Sequence, residues 1–281
     1  MVLPLGLSAP PLHRRPYATA VLVLAMLAVF VYVLQLREAA PALFCSDLTE
    51  SVRARAASSD TVQGFVCRWG AIPDELQHGR RLVTLLSSVV VHAGWLHLLA
   101  NLAFLAAFAP RVEEDLGPTG LVGLFFGSAV LAAGAHVLLV PDLTAPSIGA
   151  SGGVAGVLGA HLLLARGAQV RVLVGPVPMR LPTSFVIAMW AGLQFVGTAV
   201  LLSRAEYPVG VSYEVHAVGF IAGLATVALA LAVRPDLRRW SPEAGVALLS
   251  PAAADPAAPS DAPAAAPRAR RWSGWTGRLR R

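Results

Sequence analysis

The stretch Ser147–Ala160 reads SIGASGGVAGVLGA, and it decides how the chain folds. Ser151, Ala155 and Gly159 recur every four residues with Gly152 and Gly156 alongside, so a helix that starts at Ser151 carries a face made only of small residues. Such a face lets a second helix lie backbone to backbone, which is how helices associate in a bilayer, where apolar side chains gain nothing by leaving lipid. The helix is expected to end near Ala165, because Arg166 and Gly167 stop the apolar run. That is short for a hydrocarbon core of about 30 Å, which takes about 20 helical residues to cross. A short segment of this kind begins below the membrane surface only where its free backbone groups face protein or a water-filled cavity. A glycine-flanked serine at that place has the close backbone approach and the unpaired N–H groups that a developing oxyanion needs. Serine also caps helices in ordinary proteins, so the local pattern leaves both roles open. Gly149, Ser151 and Gly153 fit the G-x-S-x-G spacing of soluble hydrolases, but no strand precedes the serine and that fold does not follow.

A matching face lies further along the chain. His216, Gly219 and Gly223 share one side of a later apolar helix, and packing that side on Gly152 and Gly156 brings Ser151 toward His216. A histidine that shares a small-residue face opposite a glycine-flanked serine reads as its base. His97 and Asn101, four apart, share a face of an earlier helix, with His92 just before it; polar groups are costly inside a span, so the pair is a candidate site, with interhelical hydrogen bonding as the alternative. His136 and His161 lack such context and read as structural.

Composition places the rest of the chain in the membrane as well. Of 281 residues, 56% are hydrophobic and 14% charged, too apolar for a soluble domain of this length. Apolar runs predict six spans: Tyr17 to about Leu36, Trp95 to Ala109, Gly120 to Val140, the Ser151 helix, Pro182 to Leu202, and Val211 to Val233. The expected fold class is an all-α polytopic membrane protein, a six-helix bundle with a short central fourth helix. Residues 1–16 form a leader, residues 17–234 the membrane domain with an external loop at about 37–91, and residues 235–281 a tail rich in Pro and Ala, with Arg and Trp near its end. The tail lacks an apolar face and is expected to be disordered. The chain has no lysine, and arginines flank the span ends at Arg14 and Arg15, at Arg166, Arg171 and Arg180, and at Arg234, Arg238 and Arg239. Six crossings put these clusters on one side, so the positive-inside bias makes both termini cytoplasmic. The same placement argues for topology rather than nucleic-acid binding as the origin of the high basicity. Cys45 and Cys67 both fall in the external loop, where thiols oxidise, and are expected to form a disulfide.

Taken together, HAGWLHLLANLAFL at His92–Leu105, SIGASGGVAGVLGA at Ser147–Ala160 and HAVGFIAGL from His216 resemble the rhomboid proteases. The resemblance runs from about Tyr17 to Arg234, taking in the Val112–Gly117 turn and Trp190 with Gln194. It implies an intramembrane serine endopeptidase in a bacterial cell membrane, cutting membrane-protein substrates in or near a transmembrane segment. Ser151 would be the nucleophile and His216 the general base of a dyad, with His97, Asn101 and the Ser151 N–H as the oxyanion hole. His92 matches a loop histidine that is not catalytic. Helix-breaking residues and a small residue at the cut site are the implied substrate features; lipids are the other partner, and neither metal, other cofactor nor nucleic acid is called for. Two departures stand out. Many rhomboids stack Tyr or Phe on the histidine from the position occupied here by Ala155, which leaves open what orients His216. The turn also reads Ala109-Pro110-Arg111 where Gly and a polar residue are commoner.

Two other functions compete. A catalytically inactive rhomboid-like protein that binds membrane clients would show loss of the serine or the histidine, and both are present. A histidine-based ion or proton transporter would need acidic partners inside the spans, and none is evident from the sequence.

Overall fold

A computed structural model of the chain describes residues 2–8, 12–36, 61–92, 94–165, 167–174, 177–203 and 212–237. Helix α1 spans Tyr17–Leu34. Three short helices follow in the segment read as an external loop: α2 at Val62–Trp69, α3 at Pro73–Gln77 and α4 at Thr84–Ser87, the last running into a 3-10 turn at Ser88–Val90. The first two start for local reasons. Thr61 caps α2 by accepting from the Gly64 N–H at 3.1 Å, and Pro73 opens α3 where its missing N–H costs nothing. Cys67, buried on α2, is disulfide-bonded; the expected partner Cys45 lies outside the described residues, as does nearly all of the tail.

Helix α5 runs Trp95–Leu139 and breaks at Gly117, whose φ of 78° is open to glycine at little cost, with Pro118 starting the second limb. Then come α6 at Ser151–Leu164, α7 at Thr183–Leu202 and α8 at Tyr213–Val233. Among the described residues, α5, α7 and α8 are long and apolar enough to cross a membrane, while α1 and α6 are shorter apolar helices. α6 is the centre of the bundle: every residue from Gly152 to His161 is buried. Its 14 residues span about 21 Å.

Close approach holds α6 in place. A side chain on Gly219 would collide with the Gly152 backbone, and one on Gly223 with the Gly156 backbone, so α8 lies directly on α6 at both positions. On the other side a Cβ at Gly153 would meet Phe125 of α5 at 2.8 Å. Without a hydrophobic driving force between helices in lipid, dispersion contacts of this density are what associate them.

The all-α expectation needs a correction. β1 at Val2–Ser8, β2 at Gln169–Val174 and β3 at Val177–Pro182 form an antiparallel sheet in the order β1-β2-β3. Val170 and Val172 turn inward and are fully buried, while Arg171 and Arg180 stand opposite each other on the outer face. The strands escape a sequence reading because none is stable alone: β1 belongs to the leader, and its partner is more than 160 residues away. A bulge between Pro4 and Gly6, with Gly6 at φ 130°, breaks the alternation of β1 further.

The buried acids of the turn before Gly117 tie this end of the bundle together. Glu113 accepts from the Ala18 N–H, the Thr19 N–H and the Thr19 hydroxyl at 2.7–2.8 Å, capping α1, whose own N-cap residue is Pro16. Glu114 accepts from Arg111 at 2.6 Å and from the backbone and ring of His13.

Candidate active site

The starts of α5, α6 and α8 lie at the end of the bundle away from that network. Between them is a cavity of about 700 Å³ whose walls include His97, Asn101, Ser151 and His216, together with Ser147, Gly149, His136 and Trp190. The four residues singled out for chemistry, from three helices, thus share one cavity.

Ser151 is the first helical residue of α6, and the N-cap position belongs to Ala150. No side-chain capping bond forms there, and among the described residues the Ser151 hydroxyl has no hydrogen-bond partner. The capping role that the sequence left open is therefore not the one this serine has. Its backbone N–H is among the first of α6, where a helix leaves its donors without intrahelical partners.

His216 sits one turn into α8. Its Nδ1 lies 2.8 Å from Gln194 Oε1 of α7, which accepts from it and so leaves Nε2 as the basic nitrogen. The Trp190 ring lies across the imidazole at a centroid distance of 5.9 Å. Gln194 and Trp190 answer the question raised by Ala155: the ring is oriented from α7, not from α6. No hydrogen bond joins Ser151 to His216 in this geometry; nucleophile–base contacts commonly close only with substrate bound.

On the opposite wall, His97 packs the Cε1–Nε2 edge of its ring against Gly149. A Cβ at Gly149 would lie 2.5 Å from His97 Nε2, and its φ of 111° independently requires glycine. Asn101 Nδ2 donates to the His97 carbonyl at 2.9 Å and to His92 Nε2 at 3.2 Å, so both of its N–H bonds are engaged. His92, fully buried in the loop before α5, also accepts from the Ala150 N–H at 3.5 Å and donates through Nδ1 to the Val90 carbonyl at 3.3 Å. Burial, with the neighbouring His97 adding to it, pushes His92 down from 6.5 to about 4, which keeps the ring in the neutral form these bonds require. His92 thus joins the loop, the α6 start and Asn101.

One buried residue behind the cavity wall residue His136 corrects the sequence reading. Glu214, in the first turn of α8, is buried and accepts from His136 Nδ1 of α5 at 2.8 Å. An acidic partner inside a predicted span is therefore present. The signal was an acidic residue two positions before His216 in an otherwise apolar run. His161, by contrast, packs edge-on against Phe108 in the core, away from the cavity walls.

Comparison with known proteins agrees with the motifs. Residues 79–233, more than half of the chain, match the Rhomboid domain family. A 106-residue stretch is 33% identical to RHOMBOID-like protein 7 of Arabidopsis thaliana and covers 37% of this chain. The same stretch spans 32% of that relative, about a third of its length.

Proposed function

The chain belongs to the rhomboid family, and on that premise we propose that it is an intramembrane serine endopeptidase acting on membrane-protein substrates. The observation that carries the reading is the shared cavity, where an uncapped serine hydroxyl and an oriented imidazole meet two further polar side chains. Ser151 Oγ attacks the scissile carbonyl carbon as His216 Nε2 takes its proton. The Gln194 bond at Nδ1 fixes the tautomer this requires, a task that a carboxylate performs in the soluble triads. Negative charge then gathers on the carbonyl oxygen, toward the Ser151 N–H, His97 and Asn101. Asn101 reaches it by releasing its longer bond, the one to His92. Collapse of the intermediate breaks the C–N bond, His216 returns the proton to the leaving amine, and water hydrolyses the acyl enzyme by the same route.

In the membrane, α1, the two limbs of α5, α6, α7 and α8 supply six crossings in this proposal, with both termini cytoplasmic. α6, about 21 Å long, starts beneath the outer surface, so the cavity is a hydrated pit reached from outside. The substrate is a transmembrane helix that unwinds there, because a helical peptide bond is shielded by its own hydrogen bonds.

The inactive-relative reading keeps the fold and removes the chemistry. It is tested by treating the protein in liposomes with a fluorophosphonate probe and a panel of single-span substrates. Labelling of Ser151, and fragments cut in or near the span, are expected. Absence of both, from stably folded protein, sinks the protease reading. A transporter using His136 and Glu214 predicts no labelling either.

A further inference from the structure

The dyad leaves a buried carboxylate beside the base with no assigned task. Glu214 lies two residues before His216, its side chain 1% exposed, and its bond to His136 crosses from α8 to the second limb of α5. The first turn of α8 is fixed residue by residue. Tyr213 rests on Gly197 of α7, where a Cβ would come within 2.5 Å of the ring; Glu214 is tied to α5; a Cβ on Gly152 of α6 would meet Val215 at 3.3 Å; His216 is tied to Gln194 of α7. A neutral side chain would suffice for a tie to α5. A buried carboxylate is costly to retain unless its charge has partners, here His136 and the positive end of α8. His136 is itself a wall of the catalytic cavity, so the anchor of this charge is part of the site.

We propose that Glu214, anchored by His136, is a positioning residue for His216, its fixed negative charge favouring the imidazolium formed when the Ser151 proton is taken up. The proton moves from Ser151 Oγ to His216 Nε2 as the Oγ–C bond forms, then to the leaving nitrogen as the C–N bond breaks. Glu214 neither gains nor loses one. It ties the first turn of α8, which also bears His216, to α5, while Gln194 sets the tautomer from α7. The inference rests on Ser151 and His216 acting as nucleophile and base.

The test uses the full chain in liposomes and three readouts: fluorophosphonate labelling rate at Ser151, kcat and KM for one single-span substrate, and unfolding temperature. Glu214→Gln keeps the shape and an acceptor for His136 but removes the charge. It is expected to slow labelling and kcat together by about 10-fold, with KM within twofold, and Glu214→Asp should recover part of the loss. If Glu214→Gln does not fold, His136→Ala is measured instead. It should label about 5- to 10-fold more slowly per folded molecule, with His136→Gln, which restores a donor to Glu214, recovering much of the rate. Wild-type labelling per folded molecule in Glu214→Gln, or in His136→Ala where that replaces it, overturns the proposal and leaves Glu214 a structural tie. A wild-type protein that is never labelled at Ser151 instead removes the protease reading itself.

Discussion

At the end of the bundle where α1 begins, Glu113 accepts three hydrogen bonds from the first turn of α1, and Glu114 is shared between Arg111 and His13. At the end where α6 begins, Gln194 holds the His216 ring from one side, the His97 carbonyl and His92 hold Asn101, and Ser151 lines a cavity. Both ends bury polar groups that an apolar bundle tolerates only when they are partnered. The first surrounds its carboxylates with donors and serves to fix helix positions. The second fixes the direction of each side chain and leaves room beside it for a reacting group. Partnering alone therefore does not mark a site; partnering on one side of an open cavity does.

The contrast breaks most sharply at the dyad. Ser151→Ala and His216→Ala are each expected to reduce cleavage by at least about 10⁴-fold, and the double variant to add little, because nucleophile and base act as one unit. Unfolding temperatures should stay near wild type, since neither side chain closes a contact between α6 and α8. Cleavage at the wild-type rate by folded Ser151→Ala protein would end the assignment.

Next come the cavity donors. His97→Ala and Asn101→Ala should each slow turnover by up to about 10²- to 10³-fold with little change in KM, as loss of an oxyanion donor does. Since both sit on the first limb of α5 and serve the same charge, one can partly cover for the other. Unchanged rates in both single variants would take that limb out of the chemistry.

The opposite end should respond in the other currency. Glu113→Ala leaves three buried donors of α1 without their acceptor, so about 3–5 kcal/mol of stability is expected to be lost. Cleavage per folded molecule should be unchanged. A specific loss of turnover in protein of normal stability would mean that the two ends are coupled.

Much of this arrangement is legible in the sequence because small residues and charges are rare enough in apolar runs to be informative. The repeat from Ser151 to Gly159 and the Gly219–Gly223 pair locate the α6–α8 contact, since only glycine permits backbones that close. The break at Gly117 and Pro118 is readable for the same reason. What the sequence hides depends on contacts far apart along the chain. β1 needs β2 to exist at all. Gln194 and Trp190 orient His216 from a helix whose rotation a sequence does not give. Glu113 and Glu114 read locally as a charged turn, and their role as internal acceptors depends on α1 and His13 packing against them.

His92 gives the smallest and most selective effect. Its folded-state value of about 4 lies below the ordinary 6.5, so between these two values the unfolded chain binds more protons than the folded one. The stability contributed by the neutral ring is therefore fully present above about pH 6.5 and is lost as pH falls toward 4. From pH 7 to pH 5 the loss attributable to His92 is about 2 kcal/mol. His92→Gln does not titrate, so its unfolding free energy in detergent micelles should fall by about that much less over the same interval. Other buried histidines contribute equally to both proteins and cancel in the difference. The cavity end has a second reason to feel the change: a protonated Nε2 no longer accepts from Asn101 or from the Ala150 N–H at the start of α6. Wild-type turnover should accordingly lose more between pH 7 and pH 5 than His92→Gln turnover does. Parallel pH slopes in stability for the two proteins would show that His92 is not held neutral by the fold, and would reduce it to packing.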